Sequence, residues 1–444
     1  MTIVGLDDTD SRDRGMCTTY LAARVAERVE AAGGEVARSL LVRLNPAVEH
    51  KTRGNAALAV HTDLPVDEAA ALARAELTDL AETADERTSP GLVVAPVDPD
   101  DPSSIPGSVA DFARDAVRDH LAVEDAVARL GDLGWVHEGW SGHPDTPAGR
   151  GRIGALAAVG AWAAFEEWTY EAIAYREFDR CGTPREVDRD SVFAAADAGY
   201  PVVWDTVDRV EGQAVCVPRA PGPILYGIRG DDADAVGDVL ARIDAEPVER
   251  RALFVTNQGT DAHLRDADAA GLGLGDLEAG RAYRVTGTVA SAPETREGGH
   301  VFVDLSDDGG RLVCAAFEPT KRFRDRVRAL RPGDRVTVCG EVNRRQTGDG
   351  DRTVLNLEKF AVRDLDRTAL ETPDCPDCGR SMESAGRDQG YRCRDCGSAA
   401  PGKVEVRVER DLEIGWYEVP PCARRHVAKP LVRGGFDAPI HPER

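Results

Sequence analysis

Two units, Cys375-Pro376-Asp377-Cys378 and Cys393-Arg394-Asp395-Cys396, each have C-x2-C spacing, with fourteen residues between Cys378 and Cys393. Glycine follows each second cysteine, at 379 and 397. Two such knuckles bring four thiolates into a tetrahedron around Zn2+, and the glycines let the backbone turn under the metal. Four thiolates leave no open position, so this zinc is structural, whether its ribbon serves as scaffold or as an RNA contact. Asp7, Asp8 and Asp10 form a second cluster, just after a short apolar run from Thr2 to Leu6. Carboxylates this close repel one another, and a bound Mg2+ between them and a nucleotide phosphate would offset that repulsion. The same residues would also serve as turn or helix caps.

Gly15-Met16-Cys17-Thr18-Thr19 follows the acidic cluster and leads into apolar positions at helical spacing, Leu21, Val25 and Val29. A helix start presents free N–H groups to an anion, and a threonine hydroxyl there can accept a phosphoryl group or simply cap the helix. No G-x-x-x-x-G-K-[ST] sequence is present, so a standard P-loop is excluded. Two further loops suit phosphates: Lys51-Thr52-Arg53-Gly54-Asn55, and Gly149-Arg150-Gly151-Arg152-Ile153-Gly154 ahead of an Ala-rich helix. Downstream, Lys321, Arg322 and Arg324 begin a dense run of cations. Arg344 and Arg345 form a second patch, and Arg424 and Arg425 lie near Trp416 and Tyr417. Guanidinium groups beside aromatic rings suit phosphate contact and base stacking, or else form a solvated face.

The elements that must position these residues follow from periodicity and punctuation. Strands are expected at 2–6, 35–44 and 56–62, and helices at 20–32, 67–82, 108–130 and 152–165. From Thr169 the order becomes β-α-β-β-α-β, with strands at 170–176, 202–207, 215–217, 224–228 and 251–256 and helices at 190–198 and 231–243. That order suits a ferredoxin-like unit. Five strands then follow, at 283–289, 300–304, 312–316, 335–342 and 354–360. A helix at 321–330 lies between the third and fourth, which is the OB-fold pattern. The expected domains are 1–165, 166–270, 281–366 and 367–444. The last holds the zinc ribbon and a C-terminal tail.

The chain has 444 residues and a formal net charge of −23. Only five of its 55 cations are lysine. A sum this negative argues against nucleic acid and anionic membrane as partners. The charge is divided, however: residues 1–280 carry about −25 and residues 281–444 about +2. Acidic, arginine-rich chains are similar to those of salt-loving archaea, where molar salt screens surface carboxylates. No apolar run approaches the ~18 residues of a membrane span, and the N-terminus lacks a signal-peptide pattern. Ten cysteines, with one clustered set of four, suit metal ligation in a reducing compartment. The cytoplasm is the expected location.

The stretches G-L-D-D-T-D-S at 5–11, R-G-M-C-T-T-Y-L at 14–21, N-P at 45–46, K-T-R-G-N at 51–55, R-G-R-I-G-A-L-A-A-V-G at 150–160 and Y-E-A-I-A-Y-R at 170–176 resemble the archaeal isoleucine-tRNA 2-agmatinylcytidine synthetase family, in its haloarchaeal form. The resemblance spans essentially the whole chain. It implies a multidomain α/β and β protein: a kinase-like α/β catalytic domain, a ferredoxin-like α+β domain, an OB-fold β-barrel and a zinc ribbon. It implies conjugation of agmatine to C2 of the wobble cytidine of the AUA-decoding isoleucine tRNA, with ATP consumed to AMP and pyrophosphate. In that chemistry the C2 oxygen is phosphorylated and the agmatine amine displaces it.

By the same resemblance Asp7, Asp8 and Asp10 are catalytic and metal-binding, and Thr18 receives a phosphate. Gly15, Thr19, Lys51, Arg53, Asn55, Arg150, Gly151 and Gly154 are expected at ATP. Cys375, Cys378, Cys393 and Cys396 hold Zn2+. Lys321, Arg322, Arg324, Arg344, Arg345, Arg424 and Arg425 are expected at RNA. The cofactors are ATP, Mg2+ and Zn2+. The partners are agmatine and the tRNA, through its anticodon and acceptor regions, with no membrane and no obligate protein partner. Glu171 and Asp205 are candidates to hold the agmatine guanidinium. A single-stranded nucleic-acid binder that uses only the OB fold and ribbon is the alternative, and it leaves D-D-T-D and G-M-C-T-T-Y without a use.

Overall fold

The computed structural model describes residues 1–49, 51, 54–141, 149–347 and 350–444. Strand β1 (Thr2–Asp7) is followed by helix α1 (Thr18–Ala31), β2 (Val36–Arg43), β3 (Ala56–Thr62), α2 (Val66–Leu80), β4 (Gly91–Ala95), α3 (Gly107–Arg118), α4 (Val123–Leu133), β5 (Val136–Gly139) and α5 (Arg152–Ala164). Side chains alternate across β1. Ile3 joins a core with α3, α4 and α5, while Val4 and Leu6 join one with α1 and α2. β1 therefore lies buried on both faces, between antiparallel neighbours β3 and β4. Gly5 faces α5, where a methyl group would stand 2.2 Å from the Ala155 carbonyl oxygen. That contact is why a glycine precedes the acidic cluster.

The second unit runs β6 (Thr169–Arg176), α6 (Arg189–Gly199), β7 (Val203–Trp204), a small hairpin β8 (Val207–Asp208) and β9 (Gln213–Ala214), β10 (Ile224–Gly230), α7 (Ala233–Ala241) and β11 (Val248–Thr256). Its strand order β11-β6-β10-β7 is ferredoxin-like, and β11 pairs parallel to β2. The two units thus share one nine-stranded sheet, β5-β4-β1-β3-β2-β11-β6-β10-β7.

β12 (Leu264–Asp266) leads to β13 (Ala282–Val289), β14 (Glu294–Thr295), β15 (Val301–Asp307), β16 (Gly310–Ala316), α8 (Phe323–Arg328), β17 (Arg335–Thr347) and β18 (Gly350–Asp364). β13 pairs β15 and β17, β15 pairs β16, β16 runs parallel to β18, and β18 pairs β17. The five strands therefore close into the expected OB barrel. The ribbon follows with β19 (Thr368–Glu371), β20 (Glu383–Ser384), β21 (Tyr391–Arg392), β22 (Ala399–Ala400) and β23 (Val404–Arg407). The tail then returns to the barrel. β24 (Gly415–Glu418) pairs β18, and β25 (Ile440–His441) pairs β24. No helix among the described residues is long and apolar enough to cross a membrane.

Three local expectations change. The helix expected over 108–130 is two helices, α3 and α4, parted at 119–122. Asp119, just past α3, is held by Arg265 of β12 and by Arg281, just before β13. The strand expected over 202–207 breaks at Asp205, whose φ is +56°, a left-handed conformation. Residues 215–217 form no strand, because Val215 and Cys216 both donate their N–H to the Thr206 carbonyl instead.

Candidate active site

The C-terminal end of β1 delivers Asp7 and Asp8 into a cavity of about 600 Å³, with Asp10 on its wall. Asp8 sits at φ +58°, a conformation that aspartate tolerates better than most residues. Its carboxylate takes a 2.5 Å ion pair from Arg150. Burial and mutual repulsion lift the acids: the Asp7 carboxyl lies well above the usual carboxylate range, and Asp8 is raised to about 6. A site that holds buried carboxylates against this penalty fits a divalent cation with oxygen ligands. Asp7, Asp8 and Asp10 would hold it.

Gly151 and Gly154 are present for packing as much as for phosphate. A methyl group at 151 would stand 2.6 Å from both the Asp7 carbonyl oxygen and the Gly91 nitrogen. One at 154 would stand 2.0 Å from the Asp7 carboxylate. The start of α5 is thereby pressed against the acidic end of β1. The Gly151 N–H is spent on the Ser89 carbonyl at 2.9 Å, and the Arg150 N–H on the Ser89 hydroxyl at 3.0 Å. These two amides therefore do not point at a ligand.

Thr18 opens α1, and the N-cap is Cys17, not Thr18 or Thr19. The Thr18 hydroxyl is freed from capping and accepts a 3.0 Å hydrogen bond from the Thr9 hydroxyl. Cys17 and Thr19 are in side-chain contact at 3.0 Å. Thr18 and Thr19 line a second cavity of about 150 Å³, with Arg43 and Glu171, and Asp10 belongs to both cavities. Gly15 lies outside these linings. Its φ is +96°, and its carbonyl closes a turn by accepting the Ser11 N–H at 2.9 Å. Lys51 and Asn55 line the larger cavity, while Arg53 lies outside the described residues. Asn55 braces Asn45 through a 2.8 Å bond to its carbonyl, and Asn45 reaches the Gly280 carbonyl at 2.9 Å. The N-P stretch therefore fastens Gly280, just before β13, to the floor of the cavity. Ala279, Gly280, Asn343 and Arg344 complete its wall, a contribution from the OB side that no local pattern signals.

Several arginines expected at RNA are engaged inside the protein. Arg424 is buried between Asp205 and Glu418. Arg425 pairs with Glu341 and Glu358. Arg322 pairs with Asp208 at 3.1 Å and Glu443 at 2.5 Å. Arg322 and Arg424 tie the barrel and tail to the ferredoxin-like unit, and Arg425 ties the tail to the barrel. A buried interface in an acidic chain consumes arginine to neutralise its carboxylates. Arg324 braces the Gly299 carbonyl at 2.7 Å, while Lys321 holds a loose 3.7 Å pair with Glu318. Arg345 lies over the Phe317 ring at 4.3 Å, beside Phe302 and His300. Motif reading does not single out that aromatic patch, although alternate positions of β15 signal its Phe302. Glu171 pairs with Arg43 at 3.4 Å and Arg229 at 3.2 Å while lining the second cavity, and Asp205 pairs with Arg424.

In the ribbon the Sγ atoms of Cys375, Cys378, Cys393 and Cys396 lie within 4.8 Å of one another. A set of four converging thiolates fits zinc. The ribbon's apolar core is small: Cys375, Met382 and Cys393, with Tyr391 and Ala400 against them.

Family models for the TiaS TCKD domain, the TiaS FLD domain and the TiaS C-terminal zinc ribbon match residues 3–64, 149–263 and 372–412. An OB-fold nucleic acid binding domain model matches 277–362. The isoleucine-tRNA 2-agmatinylcytidine synthetase TiaS of Haloquadratum walsbyi is 54% identical, with 100% of each chain covered. This chain belongs to the TiaS family. The TiaS of Methanosarcina mazei is 44% identical over 97% of each chain. Two solved TiaS structures share the fold over 100% of this chain and 99% of theirs. One is a complex of TiaS with its isoleucine tRNA and ATP, with 41% identity and a TM-score of 0.85. The other is a complex of TiaS with the same tRNA, AMPCPP and agmatine, with 39% identity and a TM-score of 0.83.

Proposed function

We propose that this chain joins agmatine to C2 of the wobble cytidine in the AUA-decoding isoleucine tRNA, at the expense of ATP. The observation that carries it is the meeting, at Asp10, of a cavity holding buried carboxylates with a smaller one holding Thr18. The larger cavity takes the nucleotide. Lys51 faces its phosphates, and Arg150 orients Asp8. Mg2+, when bound at Asp7, Asp8 and Asp10, neutralises phosphate charge for transfer. Thr18, free of capping, accepts a phosphoryl group. On the cytidine, a nucleotide-derived phosphoryl group converts the C2 oxygen into a leaving group. The agmatine amine then forms the C2–N bond as the C2–O bond breaks. The electron pair leaves with phosphate, and the amine proton passes to solvent.

Relatives crystallised with their isoleucine tRNA, an ATP analogue and agmatine support this assignment of ligands. The acidic unit suits a dicationic amine. RNA lies mainly against the barrel and ribbon, where Arg345 on Phe317 and the half-buried Lys321 remain as contacts. Residues 1–165 carry the chemistry and 166–270 close its second cavity. Reduced, unbridged cysteines suit the cytoplasm. A non-catalytic single-stranded nucleic-acid binder has no use for buried carboxylates in a cavity. The test is mass spectrometry of the anticodon loop after incubation with ATP, agmatine and unmodified tRNA in molar salt. The cytidine gains the mass of agmatine less water, and an unchanged cytidine mass overturns the assignment.

A further inference from the structure

We infer that Arg344, carried by the OB barrel, is a nucleotide-contacting residue of the catalytic cavity and binds ATP's polyphosphate. The inference rests on the ATP-dependent reaction proposed above. Arg344 and Arg345 are adjacent on β17, and neighbouring strand residues face opposite ways. Arg345 lies over the Phe317 ring, whereas Arg344 lines the cavity with Asp7, Asp8, Asp10 and Lys51. Two arginines that read as one basic patch in sequence thus serve two surfaces.

The charge of the bound nucleotide favours a cation in this place. ATP brings a strongly negative polyphosphate to a wall that already holds three aspartates. Arg150 is committed to Asp8. Neither Lys51 nor Arg344 forms an ion pair within 4 Å among the described residues, whereas Arg322, Arg424 and Arg425 do. Arg344 is also held at a fixed distance from the floor. Asn45 binds the Gly280 carbonyl at 2.9 Å, and the Gly280 N–H binds the Val342 carbonyl at 2.8 Å, two residues before Arg344 on the same strand. A guanidinium delivered in this way presents two parallel donors to phosphate oxygens. The site is then complete only when the barrel is docked on the catalytic unit.

The test uses full-length, zinc-loaded protein with three variants, R344Q, R344K and R345Q. Arg344 is exposed and its loss leaves no buried carboxylate unpaired, so folding is preserved. Equilibrium dialysis of ATP with Mg2+, without tRNA or agmatine, reads the contact directly. Filter binding of the tRNA without ATP reads the alternative. R344Q is expected to weaken ATP about tenfold or more, with tRNA affinity within about twofold of wild type. R344K retains part of the ATP affinity, and R345Q shows the reverse pattern, weaker tRNA and unchanged ATP. Equal ATP affinity in wild type and R344Q overturns the inference, and if tRNA affinity falls instead, Arg344 is an RNA contact. A wild-type protein that binds ATP but never modifies cytidine overturns the proposed reaction and leaves the Arg344 comparison readable.

Discussion

Thr18 is where the side chain and its surroundings can be told apart. Because Cys17 is the cap of α1, Thr18→Ala removes a hydroxyl without removing a helix cap. Transfer of labelled γ-phosphate from ATP to the protein should vanish in this variant, while its thermal midpoint stays near wild type. A large drop in midpoint would return Thr18 to a structural role. Gly151 is the opposite case. Its missing side chain lets α5 approach within 2.6 Å of the Asp7 carbonyl oxygen, measured from where a methyl group would stand. Gly151→Ala must push the helix from the strand, at a cost of about 1–3 kcal/mol. ATP-dependent phosphorylation should fall at least about tenfold, because displacement of catalytic groups is felt steeply. The zinc content, measured by metal analysis, should not change.

Among the elements, β1 and the ribbon are held together in different ways. β1 is packed on both faces, and its alternation of Ile3 against Val4 and Leu6 is readable directly from the chain. The ribbon has almost no core, so its folding energy is metal-binding energy. Chelation of zinc should therefore abolish amide-exchange protection across 375–397 while leaving the OB strands protected. The same result is expected for Cys393→Ser, with tRNA binding weakened and self-phosphorylation retained. Joint loss of protection in ribbon and barrel would show that the two fold as one unit. The split between α3 and α4 is not readable locally. The apolar spacing runs on, and it is Arg265 and Arg281, more than a hundred residues away, that hold Asp119 at the break.

For the whole molecule, the tail is the strap. Arg424 is buried between Asp205 of the ferredoxin-like unit and Glu418 of β24. Arg424→Ala strands both carboxylates and should destabilise the protein by about 3–5 kcal/mol. Chemical denaturation measures this, and the salt dependence of tRNA binding should keep its slope. Two histidines in the interior contribute to the acid sensitivity of the fold. Burial, with Arg38 close to His61, holds His61 near 3, and burial holds His263 near 4, both below the ordinary 6.5. The unfolded chain therefore takes up protons below about pH 6.5 that the folded chain refuses, and stability falls as the pH drops from there toward 3–4. His61 alone accounts for about 2 kcal/mol of loss at pH 5. His61→Phe should flatten the fall in thermal midpoint between pH 6.5 and 5, and an unchanged slope would exclude this cause.

The net charge of −23 hides two populations of arginine. Clusters at 322 and 424–425 read as RNA contacts, because sequence reports which charges are near along the chain and not which carboxylates face them. Asp208, Asp205, Glu341 and Glu358 come to those arginines only through the docking of separate units. By contrast, the four cysteines, the acidic end of β1, a helix over 20–32 and the element orders of the ferredoxin-like and OB units were determined by the sequence alone, whereas the cap at Cys17 was not. Each rests on spacing over a few residues, where backbone geometry leaves one arrangement. The tertiary structure decided the rest: the single sheet shared by two units, the second cavity at Thr18, and the entry of Arg344 into a site whose aspartates lie more than three hundred residues earlier. Those depend on surfaces meeting, and no short-range pattern encodes which surfaces will meet.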